Sequence, residues 1–173
     1  YTEKYLDGTS DKQSVAITVS VTAAPVKPDG TPNAEGFAVT PIPDAGKEME
    51  YKDDAGNEVK PEDVQGKLAD AAPGALEGEV KNNPAFNNVG DGDVVYENIS
   101  FKDENGNPVT FANGKMQVTV PYPADSDKGD EFVMLIPDGE GKMKAIGPQK
   151  TAGGLQFEIG NSDVTFAIGW YTP

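Results

Sequence analysis

Lys115-Met116-Gln117-Val118-Thr119-Val120-Pro121-Tyr122 places Met116, Val118, Val120 and Tyr122 on one face and polar residues between them. Period-two alternation of this kind belongs to a half-buried strand. The same pattern returns in Leu155-Gln156-Phe157-Glu158-Ile159, and again in Val164, Phe166, Ile168 and Trp170. Between these runs lies Glu131-Phe132-Val133-Met134-Leu135-Ile136, apolar at consecutive positions, which predicts a central strand covered on both sides. Further strands are expected at Val94–Lys102 and Lys142–Ile146. The turns Asn105-Gly106, Asn113-Gly114, Asp138-Gly139 and Gly153-Gly154 separate them. Short strands at this spacing indicate an all-β, antiparallel β-sandwich, immunoglobulin-like or related.

Towards the N-terminus the signals thin out. Ser14–Thr22 alternates like a strand, and Phe37–Ile42 reads as an edge strand closed by Pro41 and Pro43. Glu48–Lys52 and Asn57–Lys60 bracket Asp53-Asp54-Ala55-Gly56 as a hairpin. The one helix is expected over Pro61–Ala72, with Pro in its first turn, Glu62 and Asp63 suiting the helix dipole, and Pro73-Gly74 stopping it. Val64, Leu68 and Ala71 would share its buried face. Residues 75–93 carry loop signals. The stretch Met49–Val59 echoes Ile99–Val109, with Lys, Asp, Gly, Asn and Val matching; the expected reason is reuse of one turn chemistry rather than duplication of a module.

Composition narrows the chemistry. The 173 residues carry 29 acidic and 14 basic side chains, all of the latter lysine, for a net charge of -15 and a pI of about 4.2. Cysteine, histidine and arginine are absent. Disulfides, the usual zinc sites and catalysis by Cys or His are excluded with them. Nucleic acid and anionic membrane surfaces lack the basic footprint they need. No apolar stretch reaches the roughly 18 residues of a membrane-spanning helix. Val, Ile and Thr number 34 against five Leu, a balance that favours strands. The length suits one compact β-rich unit over 1–173, and the chain opens on Tyr1, as a processed product or a fragment would.

Ile99–Val109, Gly114–Pro123, Gly139–Met143, Leu155–Ile159 and Val164–Gly169 together resemble a β-sandwich module recurring in secreted and cell-surface proteins of Gram-positive bacteria, particularly gut species. The resemblance covers about residues 94–170, leaving 1–93 as N-terminal strands, helix and loops. It implies an extracellular, wall-associated habitat and a non-catalytic interaction or spacer role in a larger surface protein. A protein or glycan outside the cell would be the partner. The absence of cysteine and the acidic surface agree with that habitat.

Three functional constellations remain. Asp125, Asp127 and Asp130 gather hard oxygen ligands in one short loop, which makes calcium the cofactor to test; the competing expectation is a solvated acidic loop with Lys128 neutralising part of its charge. Trp170 and Tyr171 are the aromatic candidates for a carbohydrate-binding surface, with Tyr51, Tyr96 and Tyr122 as further members, against the plainer expectation of core packing. A carboxylate pair, as in glycoside hydrolysis, is the third option; no motif singles a pair out among so many acids, so no enzyme is expected.

Overall fold

The computed structural model describes residues 23–29, 31 and 35–173. The strand expected at Ser14–Thr22 lies outside them. Among the described residues twelve strands run in chain order: β1 (Ala23–Val26), β2 (Ala38–Pro43), β3 (Glu50–Asp53), β4 (Gln65–Asp70), β5 (Val94–Lys102), β6 (Val109–Ala112), β7 (Gly114–Val120), β8 (Glu131–Pro137), β9 (Met143–Ile146), β10 (Gln149–Thr151), β11 (Gly154–Ile159) and β12 (Asp163–Tyr171). A six-stranded sheet has the order β1-β4-β5-β12-β8-β9, and a four-stranded sheet the order β10-β11-β7-β2. All their pairings are antiparallel. The two pack face to face on one core, joined by a small β3-β6 ladder that contributes Tyr51 and Val109. The all-β sandwich read from the sequence is the architecture of the chain.

Alternation explains how the faces sort. Met116, Val118 and Val120 of β7 and Leu155, Phe157 and Ile159 of β11 turn inward, as do Val164, Phe166, Ile168 and Trp170 of β12 from the other sheet. The consecutive apolar residues of β8 are buried on both faces. Phe132, Met134 and Ile136 join the inter-sheet core, whereas Val133 and Leu135 join Ala167 beneath a layer on the outer face. That layer is the α-helix α1 (Leu76–Asn82) and a 3₁₀ turn at Pro84–Phe86, which set Leu76, Val80 and Phe86 onto the sheet.

The helix expected over Pro61–Ala72 is not there. Pro61–Asp63 forms only a 3₁₀ turn, and Gln65–Asp70 is strand β4. Val64 and Leu68 fit helical spacing, yet with Gly66 they also fit a period of two, and tertiary pairing with β5 decides between the patterns. Gly66 suits its position because a Cβ would come within 3.2 Å of the Phe101 ring, which would have to shift. Among the described residues the one α-helix lies instead at Leu76–Asn82, where Leu76 and Val80 are one turn apart and Glu77 and Glu79 occupy the first turn.

The two echoing segments are one turn used twice. In Asp53–Asn57 and Asp103–Asn107 the Asp Oδ1 accepts the backbone N–H groups two and four residues on, at 2.8–3.0 Å. A glycine at φ +87° or +85° closes each. Asp138 builds a third, accepting from Glu140 N and Lys142 N. These backbone donors hold the Asp103 and Asp138 carboxyls below the ordinary aspartate value. In the Asn105-Gly106 pair only Gly106 has positive φ, so the connection is a longer Asp-anchored loop rather than a two-residue hairpin. Likewise β3 pairs with β6, although Val59 N still donates to Tyr51 O.

The edges of both sheets are poor templates for further pairing: Pro25 interrupts β1, Pro41 and Pro43 interrupt β2, Lys144 sits in β9, and β10 has three residues. Two substitutions test the architecture. Val118 has no exposed surface in the inter-sheet core. Val118→Asp strands a charge there and is expected to lower unfolding free energy by about 4 kcal/mol or more in urea titration. A Cβ at Gly106 meets nothing within 4 Å, so Gly106→Ala isolates the backbone penalty. It should cost about 1–2 kcal/mol by the same measurement, and Gly106→Asn less, because Asn tolerates the left-handed region.

Candidate functional site

The acidic loop Asp125–Glu131 is organised around Asp130. Its carboxylate is buried, at 4% exposure, while Asp125 and Asp127 are exposed. One carboxylate oxygen of Asp130 accepts from Asp127 N at 2.8 Å and the other from Thr172 Oγ1 at 3.2 Å. Its carbonyl accepts from Lys150 Nζ at 2.9 Å, and the same ammonium reaches Glu131 at 3.3 Å. Asp130 therefore closes the loop and ties it to β10 and the C-terminal residues. Asp125, Asp127 and Asp130 do not converge, and among the described residues no group of three or more acidic side chains is arranged to hold a metal ion.

The aromatic candidates disperse in the same way. Trp170 is 4% exposed and belongs to the inter-sheet core, so its ring offers no face to a sugar. Tyr171 is half-buried on the opposite side of β12, and the two form no common platform. Tyr51 is core. Tyr122 stacks at 5.5 Å on Phe132 and donates its hydroxyl to Thr151 O at 2.6 Å. Tyr96 faces a recess. It lines a cavity of about 280 Å³ beside α1, with Val80, Phe86, Val89 and Val94 apolar and Glu77, Lys81 and Asp91 around them. Burial, reinforced by the Glu77 carboxylate, raises the Tyr96 hydroxyl above its ordinary value.

One ionisable residue escaped the reading of the sequence. Glu97 lies in the middle of β5 and has no exposed surface. The face it shares with Val95, Ile99 and Phe101 is the core face, so the alternation of β5 was the signal that could have found it. Its register partners are Phe166 on β12 and Asp70 on β4. Neither carboxylate oxygen has a hydrogen-bond partner. Desolvation, with the Asp70 charge adding to it, pushes the carboxyl up to about 8. A carboxyl in this setting keeps its proton at neutral pH. Sealed in the core, it touches no substrate.

No protein-family model matches the chain, and neither a curated protein nor a solved structure is significantly similar to it.

Glu97 makes stability depend on pH. The folded state holds a proton that an unfolded glutamate, at 4.5, has already lost, so stability falls as pH rises from about 4.5 to about 8 and levels off above. The expected loss is on the order of 4 kcal/mol across that window. Urea titrations at stepped pH check it, and Glu97→Gln, which mimics the protonated carboxyl, should flatten this part of the profile.

Proposed function

We propose that the chain is a non-catalytic interaction or spacer module of a larger extracellular protein on a bacterial surface. The observation that carries this reading is where the carboxylates go. Asp53, Asp103 and Asp138 are consumed in three copies of one turn, Asp130 in closing a loop, and Glu97 in the core. A glycoside-cleaving pair needs two carboxyls facing one substrate. These five carboxylates brace a sandwich instead. The net charge of -15 keeps an exposed chain soluble, and without cysteine no thiol is open to oxidation outside a cell. Partners would be a protein or a glycan met outside the cell.

Carbohydrate binding is the second reading, and Tyr96 favours it. An aromatic ring beside Phe86, with Glu77 and Asp91 at the margin of the same recess, offers a stacking face and acceptors for hydroxyl groups. The two readings separate on a glycan array. The module reading with a protein partner expects no saccharide signal, and with either partner no turnover on a panel of glycosides. A saccharide signal abolished by Tyr96→Ala, with an unchanged melting temperature, would establish the second reading. Turnover removed by one Asp or Glu substitution would overturn both.

A further inference from the structure

Strand β3 is paired along its whole length on one edge only. There β6 runs beside Glu50–Asp53, while on the other edge the returning chain meets β3 at the Lys52 and Glu58 bridge and at Val59 N, which donates to Tyr51 O. Pro61 then starts a 3₁₀ turn and leads the chain away. Residues 48–51 and 58–61 diverge around a recess of about 460 Å³, with Asn113 at its margin. Its floor is apolar. Met49 is half-buried against Gly114, where a Cβ would have no room beside it, and Val59 packs on the core. Tyr51 lines the same floor at 4% exposure, and its hydroxyl has no hydrogen-bond partner. Among the described residues, side-chain polar atoms that are both enclosed and unpartnered are confined to Glu97. The Tyr51 hydroxyl therefore opens on space, and the recess is the space Tyr51 lines.

Charge stands around this floor. Among the described residues the lining carries Glu48, Glu50 and Glu58 against one ammonium, Lys60, and none of the four is in an ion pair. Nor are any three acids there arranged to hold a metal ion, so the recess suits a larger cation whose donors are spread apart. We propose that it takes one arginine side chain from a basic segment of a partner protein. The aliphatic stem covers Met49 and Val59. The five N–H donors of the guanidinium, splayed in one plane, serve the separated carboxylates and the Tyr51 hydroxyl together; a lysine ammonium, a point charge with three donors, serves them less well. The net charge of -15 draws a basic segment towards the chain. The partner class rests on the interaction reading above, with a protein rather than a glycan as the partner.

Chemical-shift titration of the isotope-labelled whole chain with acetyl-Gly-Arg-Gly-amide tests the recess, the citrulline tripeptide serving as the uncharged isostere. Saturable shifts should appear at residues 48–51, 58–61 and 113 with the arginine peptide and vanish with citrulline. Glu48→Gln, Glu50→Gln and Glu58→Gln should each weaken binding about threefold, and Lys60→Gln should strengthen it by about as much. Tyr51→Phe, which keeps the ring, should weaken it about fivefold. Equal shifts with citrulline, shifts scattered over the acidic surface instead of the recess, or a dissociation constant unmoved by all three glutamate variants each overturns the proposal. Any of these leaves the non-catalytic reading standing, because that reading falls on glycoside turnover, which the tripeptide does not report.

Discussion

Strand β8 buries Phe132, Met134 and Ile136 on one face and Val133 and Leu135 on the other, so the six-stranded sheet has to be covered twice. The four-stranded sheet covers the first face. Among the described residues no second sheet covers the other, and seven residues of helix with one 3₁₀ turn do the work. The rest of the layout follows from this requirement. α1 must lie where Leu76 and Val80 reach Leu135 and Ala167, which draws the chain between β4 and β5 across the outer face. β12 beside β8 then places small residues, Ala167 and Gly169, under the layer; a Cβ on Gly169 would come within 3.0 Å of the Phe86 ring.

With hydrophobic burial concentrated in one sandwich, the polar residues serve mainly to shape connections. Three aspartates each accept two backbone N–H groups in the same five-residue turn, and a buried fourth, Asp130, pins its loop to Lys150 and Thr172. Such bonds satisfy donors that a turn would otherwise leave to water. Each of these carboxylates is directed at backbone donors of its own loop. Glu97 is the exception, a carboxyl placed where β5 needs an apolar side chain, and its cost appears as dependence on a proton.

Much of the C-terminal half was legible in the sequence. β5, β7, β8, β9, β11 and β12 lie within a residue or two of their expected positions, because alternation against a buried face is a local signal. The edge position of β2 was legible from its prolines. β4 was not, since six residues with apolar groups at Val64 and Leu68 satisfy a helix and a strand equally. β6 and β10 are four and three residues long, too short for any period to register. Clustering of Asp125, Asp127 and Asp130 along the chain suggested convergence, but adjacent residues in a loop point apart once one of them turns inward. Trp170 and Tyr171 separate as strand alternation along β12 leads one to expect.

By itself the sequence determined that this chain is a β-sandwich, that it works without thiol or imidazole chemistry, and that its central strand is covered twice. These follow from residue types and from periods shorter than one strand. Only the tertiary structure decided which segment supplies the second cover, whether Gln65–Asp70 is strand or helix, and that Glu97 lies sealed beside Asp70 and Phe166. Each of those depends on which strands become neighbours. Neighbours in a sheet are chosen by the total surface buried across residues far apart in the chain, a quantity that no local window contains.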